Sequence, residues 1–285
     1  MNESYGVYSE KNYNLYFYWD NIIGNEMPDY IKLCIESWEK YSRATSIIPV
    51  NIGNIERISK ATLTKKDLEL FTPAQRSDAA MIVLMTQRSG IFVDADTLML
   101  PNFDYKIYFN LKIPTMYASF HNKIWEPHLA FLANSGNYSK FMEIWNNELL
   151  ISIAKERNCL YRKFRREFRK FNGKTVHVKW DYLGRKVFNK VRSKINPLNE
   201  IYFQDADLHK FLPEFSCGYY SSSSFIEYWL SQNSLSLFNP NDYSHGIVTF
   251  QNSWLPGPIR NLRRSEILNH PSRFGRVFHY TLCQQ

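Results

Sequence analysis

The stretch that decides the fold is residues 89–96, which read SGIFVDAD. Three apolar residues, Ile91 to Val93, predict a short buried strand, and Asp94 and Asp96 follow it directly. Acids at the carboxyl end of a buried strand lie where open α/β sheets bind their ligands. Two carboxylates one residue apart can face one cation, and Mg²⁺ and Mn²⁺ prefer such oxygen ligands. These residues therefore predict a metal site at a sheet edge.

The segments before this stretch have the pattern of an α/β protein. Residues 13–20 are aromatic and apolar and predict a strand, and residues 46–52 predict a second one. Pro28 opens a helical pattern between them, and a further helix begins at Thr72-Pro73. Strand, helix and strand in that order indicate a βαβ unit. No domain boundary is visible, so we expect residues 1–285 to form one domain with a basic helical insertion around 155–195.

Composition limits the function classes without selecting one. The 285-residue chain has a net charge of +8, and aromatic residues make up 16% of it. A basic, aromatic protein can bind nucleic acid, lie on a membrane surface or act on anionic substrates. Apolar residues at 44% and charged residues at 22% are ordinary for a globular protein.

A DxD triplet alone is a weak signal, because the usual alternative is a solvated acidic turn. The chain contains a second copy, Asp205-Ala206-Asp207. The first copy follows an apolar strand, whereas the second precedes the polar stretch 208–210. This context predicts that the second copy lies on the surface.

Several segments together resemble the DXD-containing sugar transferases of the capsular polysaccharide synthesis family. Glycosyltransferase family 32 and the clostridial glucosylating toxins share this signature, and the matches span most of the chain. The matching segments are Phe17-Tyr18-Trp19, Pro28, Ser37-Trp38, Ser77-Asp78, residues 89–96 and Asn252-Ser253-Trp254.

The resemblance implies a GT-A-like fold, a Rossmann-type nucleotide-sugar-binding fold with a mixed central sheet and helical or irregular additions. It implies that Asp96 binds Mn²⁺ or Mg²⁺ directly and that Asp94 contacts the ribose and metal-bound water. By the same resemblance, Asp78 hydrogen-bonds the donor sugar or the ribose. We expect these three aspartates to form the catalytic set.

The remaining site residues come from the two ends of the chain. The resemblance puts Tyr18 and Trp19 near the base of the donor, and Asn252, Ser253 and Trp254 over its diphosphate. Without the resemblance, both tryptophans would be interpreted as core residues.

The chain also departs from the family pattern. Met81 stands where the family has an arginine, which leaves open what contacts the donor there; Arg76 and Arg88 are the nearby alternatives. His245 is the candidate third metal ligand in place of a family histidine closer to the Ser-Trp pair. A lone histidine is more often structural than metal-bound, so both interpretations stay open.

The implied activity is metal-dependent hexosyl transfer in bacterial surface polysaccharide synthesis. Most relatives of this kind use UDP-sugars and some use GDP-mannose, so we expect a UDP-sugar donor. The resemblance implies a saccharide or lipid-linked glycan acceptor and retention at the anomeric carbon.

A basic amphipathic segment, residues 157–174, carries Phe164, Phe168 and Phe171 at helical spacing. It predicts either an anionic membrane surface as partner or a helix whose phenylalanines face the core. The start of the chain lacks a signal-peptide pattern, and no apolar run approaches the roughly 20 residues that span a bilayer. We therefore expect a cytoplasmic protein, peripheral at the inner face of the cell membrane.

Two other functions compete with the transferase. Haloacid-dehalogenase-type phosphatases use D-x-D-x-T after a strand, but Thr97 comes one position too early for that pattern. A nucleic-acid-binding protein fits the charge and aromatic content. No RNA- or DNA-binding module is recognisable, so we expect no nucleic-acid partner.

Overall fold

The computed structural model describes residues 13–20, 26–121, 124–160, 164, 182–206, 222–231 and 238–283. It shows a mixed α/β architecture with a six-stranded sheet and a second, two-stranded sheet. The predicted α/β class with a mixed central sheet is confirmed.

The elements of the first half alternate between strands and helices. They are β1 (Asn14–Tyr18), α1 (Asp29–Tyr41), β2 (Ser46–Val50), α2 (Ile55–Ile58), α3 (Lys65–Leu68), α4 (Pro73–Gln87), β3 (Gly90–Val93), β4 (Thr97–Met99), α5 (Lys106–Phe109), β5 (Thr115–His121) and β6 (Ile124–Asn134).

The second half is mainly helical. Its elements are α6 (Lys140–Asn158), α7 (Arg185–Arg192), β7 (Tyr202–Asp205), α8 (Ser222–Leu230), β8 (Ile247–Thr249), α9 (Gly257–Arg260), α10 (Arg264–Leu268) and α11 (Arg273–Cys283). Short 3₁₀ turns lie at Pro197–Asn199 and Pro240–Asp242.

The large sheet has the strand order β2-β1-β3-β6-β5-β7. β1 is parallel to β2 and β3, β6 is antiparallel to both of its neighbours, and β7 is parallel to β5. Five strands therefore point the same way, and their carboxyl ends share one edge. β4 leaves this edge and pairs antiparallel with β8.

Each face of the large sheet is covered by its own hydrophobic cluster. Alternation along β3 separates them, because Ile91 and Val93 belong to one cluster and Phe92 to the other. Helices α1 and α11 contribute to the first cluster, and α4, α6 and α7 to the second.

Helix α4 and strand β3 are set by local sequence signals. Thr72 and Gln75 form a capping box and Pro73 occupies the first turn, which fixes where α4 begins. Gly90 begins β3 with φ +149°, and a Cβ there would lie 2.5 Å from the Asn14 carbonyl oxygen. Only glycine allows β3 to approach β1 this closely.

Helix α6 extends to Asn158, and α7 is described from Arg185 to Arg192. Ser222 to Ser224 lie at the start of the apolar helix α8. No helix in the described ranges is long and apolar enough to cross a membrane.

Candidate functional site at the carboxyl edge of the sheet

Asp94 is the first residue after β3 and is held by neighbouring elements. Its backbone N–H donates to the Ala130 carbonyl on β6 at 2.9 Å, and its own carbonyl accepts from the Thr97 N–H at 3.0 Å. The Ser77 hydroxyl on α4 donates to Asp94 Oδ1 at 3.0 Å. Helix α4 and strand β3 therefore fix the Asp94 carboxylate together.

Asp78, one residue further along α4, lies beside Asp94. Burial raises the pKa of Asp78 well above its usual value, and the charge of Asp94 raises it further. Burial also raises the pKa of Asp94 to about 6, while the Ser77 hydroxyl acts in the opposite direction. Two buried acids side by side resist ionisation, and a divalent cation nearby would stabilise their charged forms.

Gly184, just before α7, packs directly against this pair. A Cβ at Gly184 would lie 2.9 Å from Asp78 Oδ2 and 2.7 Å from Leu129 Cδ1. Part of the predicted insertion thus borders the site, which the sequence did not indicate.

Asp96 is tied to the carboxyl-terminal part of the chain. Its side chain is buried, and Oδ2 accepts from the Asn252 backbone N–H at 2.8 Å. The Asp96 carbonyl accepts from the Phe250 N–H at 2.9 Å, and the Tyr30 hydroxyl donates to Asn252 Oδ1. The structure therefore brings Asn252 to the second acid of the triplet.

The other two residues of that element differ in exposure. Ser253 is exposed, and Trp254 is partly buried with its ring edge-on to Phe225 at 5.9 Å. The Trp254 N–H donates to the Gln251 carbonyl at 2.8 Å, which makes the element a tight turn.

Tyr18 and Trp19 lie at the end of β1, on the same edge as Asp94. The Tyr18 hydroxyl donates to Asp20 Oδ1 at 2.7 Å, and the Trp19 N–H donates to the Val50 carbonyl at 2.9 Å. Trp19 is partly buried against the first cluster. Asp20 also accepts from the Ile52 N–H and pairs with Arg76 at 2.7 Å. Sequence reasoning missed Asp20, although its place directly after a buried strand was a signal.

The two arginines considered as replacements at the Met81 position are engaged elsewhere. Arg76 pairs with Asp20 and donates to the Leu68 carbonyl at 2.9 Å. Arg88 donates to the Ile58 carbonyl at 2.5 Å. Met81 itself is fully buried in the second cluster.

His245 lies among aromatic rings. Its ring centroid is 6.5 Å from that of Tyr108 and 6.2 Å from that of Tyr117. Across the part of the chain that the structure describes, no three His, Cys, Asp or Glu side chains form a group that could hold a metal ion. The structure thus does not gather His245, Asp94 and Asp96 as three ligands.

Further polar groups reach the same sheet edge from β5, β6 and β7. Ser119 Oγ and His128 Nε2 are 2.7 Å apart, where the β5–β6 register shifts in a bulge. Asp205 is the last residue of β7 and is partly buried, so the second DxD triplet begins at the end of a strand, which its sequence context did not predict. Asp207 lies outside the described residues.

Comparison with known proteins gives a family match and a likeness to a solved structure. The model of a family described as capsular polysaccharide synthesis protein matches residues 2–168. The chain is similar to a solved structure titled PaToxG Glycosyltransferase, with 15% identity and a TM-score of 0.37, over 66% of this chain and 71% of that one. No curated protein matches the chain.

Proposed function

The chain belongs to the family of capsular polysaccharide synthesis proteins, and from that premise we propose that it is a glycosyltransferase using a nucleotide-sugar donor. The observation that carries the proposal is the hydrogen bond from the Asn252 N–H to Asp96 Oδ2. It joins the strand-end acid to the element proposed to cover the diphosphate. We include in the proposal that residues 1–285 form one domain, since one core cluster contains residues of both β1 and α11.

A divalent cation, Mn²⁺ or Mg²⁺, fits the acids at this edge. Asp94 and Asp96 would hold it, and the adjacent Asp78 and Asp94 are acids whose charged forms are disfavoured without a cation. When bound, the cation neutralises the charge that develops on a departing nucleoside diphosphate. His245 is the proposed third ligand, although the structure does not gather it with Asp94 and Asp96.

The chain's own residues orient the reactants. Ser77 holds Asp94, and the Asn252 N–H holds Asp96, so both carboxylates are fixed before substrate binds. Asp78 is proposed to hydrogen-bond the donor sugar or ribose.

The donor's other groups are assigned to the ends of the chain. Tyr18 and Trp19 are proposed to lie near the base, because they end a parallel strand at the site edge. Ser253, which is exposed, and Trp254 are proposed to contact the diphosphate.

The test of this function is transfer or hydrolysis with a panel of UDP- and GDP-sugars in Mn²⁺. We expect a UDP-sugar to be used, and addition of EDTA to stop the reaction. Absence of turnover and of nucleotide binding across the panel would contradict the proposal. Hydrolysis of p-nitrophenyl phosphate instead would favour a phosphatase.

The stereochemical outcome is a separate proposal. The family resemblance implies retention, so an α-linked donor should give an α-linked product on a saccharide or lipid-linked acceptor. NMR assignment of the product linkage decides this, and a β-linkage would refute retention.

Peripheral binding at the inner face of the membrane is proposed for the segment 157–174. Leu160 and Phe164 are 79% and 72% exposed and follow basic residues at the end of α6. Phe168 and Phe171 lie outside the described residues, and Arg157 pairs with Asp67 at 2.9 Å. Co-sedimentation with anionic vesicles should weaken steeply with salt. Equal pelleting with neutral vesicles, or none with either, would contradict membrane binding and leave the transferase proposal intact.

A further inference from the structure

The Asp20 carboxylate, two residues after the end of β1, joins three elements at the carboxyl edge of the large sheet. Its Oδ1 accepts from the Tyr18 hydroxyl at 2.7 Å and from the Ile52 backbone N–H at 3.0 Å. Its Oδ2 accepts from Arg76 Nη1 on α4 at 2.7 Å. One side chain therefore links the end of β1, the turn after β2 and the first turns of α4.

Arg76 is held at a second point as well. Its Nε donates to the carbonyl of Leu68, the last residue of α3, at 2.9 Å. The side chains of Asp20 and Arg76 are only 5% and 17% exposed. Loss of either partner would leave the other charge uncompensated in a largely buried place. We therefore expect this ion pair to keep one geometry, unlike a pair on the open surface.

The two aromatic residues proposed to lie near the base of the donor are attached to this network. Tyr18 donates to Asp20 directly, and its ring belongs to the second cluster. Trp19 lies between them in the chain, donates its backbone N–H to the Val50 carbonyl at 2.9 Å and packs against the first cluster. The position of both rings thus depends on how β1 ends, and Asp20 holds that end.

The same turn of α4 makes a separate contact with the acids. Ser77, the residue after Arg76, donates to Asp94 Oδ1 at 3.0 Å. Arg76 therefore holds the end of β1, while its neighbour holds the acid that follows β3. The two contacts divide the edge into a part with the aromatic residues and a part with the acids.

We propose that the Asp20–Arg76 ion pair is a positioning pair that shapes the part of the site that binds the nucleobase of the donor. Asp20 already accepts from Tyr18, Ile52 and Arg76, so it acts through the residues it holds. The inference rests on the proposed nucleotide-sugar donor.

The test is binding by calorimetry in Mn²⁺, with the preferred nucleoside diphosphate, UDP or GDP, compared with inorganic pyrophosphate, which lacks a base. In Asp20→Asn, the amide N–H groups face the Arg76 guanidinium and the end of β1 loosens. We expect the Kd for the nucleoside diphosphate to rise about tenfold and that for pyrophosphate to change less than about twofold. In turnover, the KM for the nucleotide sugar should rise while kcat stays within about twofold.

Arg76→Lys is the conservative variant. It keeps a positive charge towards Asp20 but loses the planar fork that also reaches the Leu68 carbonyl, so the Kd should rise only about threefold. If Asp20→Asn does not fold, Arg76→Lys decides the question by the same comparison of the two ligands.

Glu148→Gln is the matched control, because it also turns the largely buried carboxylate of an ion pair into an amide. Its pair with Lys194 joins α6 to the residues after α7 rather than β1 to α4. This variant should leave both Kd values unchanged, even if its melting temperature falls.

Two results would overturn the positioning role. One is an unchanged Kd for the nucleoside diphosphate in Asp20→Asn and Arg76→Lys, with only the melting temperature lowered. The other is an equal loss for pyrophosphate, which would assign the pair to the acids instead of the nucleobase. In both cases the unmodified protein still binds nucleotide, so the proposed function stands. Failure of the unmodified protein to bind any nucleoside diphosphate would overturn the proposed function as well.

Discussion

The two aspartates of the DxD triplet are held by different parts of the molecule. Asp94 accepts from Ser77, 17 residues away, whereas Asp96 accepts from Asn252, 156 residues away. Asp94 is partly buried beside a second acid, Asp78, and Asp96 is buried and accepts from a backbone N–H. The two acids of one motif are therefore held in place differently. The neighbouring helix α4 holds Asp94, whereas a segment near the carboxyl terminus holds Asp96.

The largest expected effect is the loss of turnover when either acid of the triplet is replaced. Asp96→Asn should lower turnover by about 10³-fold or more, because a charge next to the diphosphate is removed while the amide oxygen can still accept from Asn252. Asp94→Asn should cost a similar or smaller factor. Turnover of a nucleotide sugar in saturating Mn²⁺ measures both, with circular dichroism as the folding control. Full activity of Asp96→Asn would refute its role.

Gly184→Ala tests the packing around the paired acids Asp78 and Asp94. The added methyl must displace Leu129 or the Asp78 carboxylate, so we expect a loss of about 1–3 kcal/mol in the free energy of unfolding and about tenfold in kcat/KM. Gly257→Ala is the matched control, because a Cβ there meets nothing within 4 Å. If both variants lose the same stability and the same kcat/KM, the contact between residue 184 and the acids does not contribute to activity.

A double-mutant cycle tests the contact that holds Asn252, the partner of Asp96. Tyr30→Phe and Asn252→Ala each break the hydrogen bond that braces the Asp96 partner. Denaturant unfolding should show a coupling of about 1 kcal/mol between the two changes, the usual worth of such a bond. Additive effects would mean that this bond does not stabilise the closing element.

The smallest expected effect is a change in melting temperature when the buried Asp94 carboxyl is replaced. The pKa of Asp94 is about 6 in the fold against an ordinary 3.8. Between these values the folded chain keeps a proton that the unfolded chain has released, so the free energy of unfolding falls as pH rises through this window. In EDTA at pH 7, Asp94→Asn should therefore melt roughly 2–4 °C above the unmodified protein. The gain should vanish near pH 4, and a constant gain at both pH values would contradict it.

Elements with strong local signals could be predicted from the sequence. The apolar face of α1, the Thr72-Pro73 start of α4 and the run before Asp94 each combine a cap or a break with a clear period. Helix α8 could not, because serines at its start are typical of turns and its burial depends on Trp254 and other distant residues.

The same distinction applies to the site residues. Asp78 and Asp94 could be predicted because they lie in one contiguous stretch of sequence. Contacts between separate elements leave no periodic pattern in the sequence, so they could not be predicted. The Asp20–Arg76 ion pair, the approach of Gly184 to Asp78 and the Ser119–His128 pair are of this kind. Sequence context also failed at Asp205, because the polar residues that follow it gave no indication that it ends a strand.

The distance in sequence between Asp96 and Asn252 also has a consequence during synthesis on the ribosome. At about 5–20 residues per second, the partner of Asp96 emerges roughly 8–30 s after the acid itself. Throughout that interval β1, β2, β3 and α4 can assemble with Asp94 in place, while the second carboxylate lacks its backbone donor. The residues that hold Asp94 in place are therefore synthesised well before the residue that donates to Asp96.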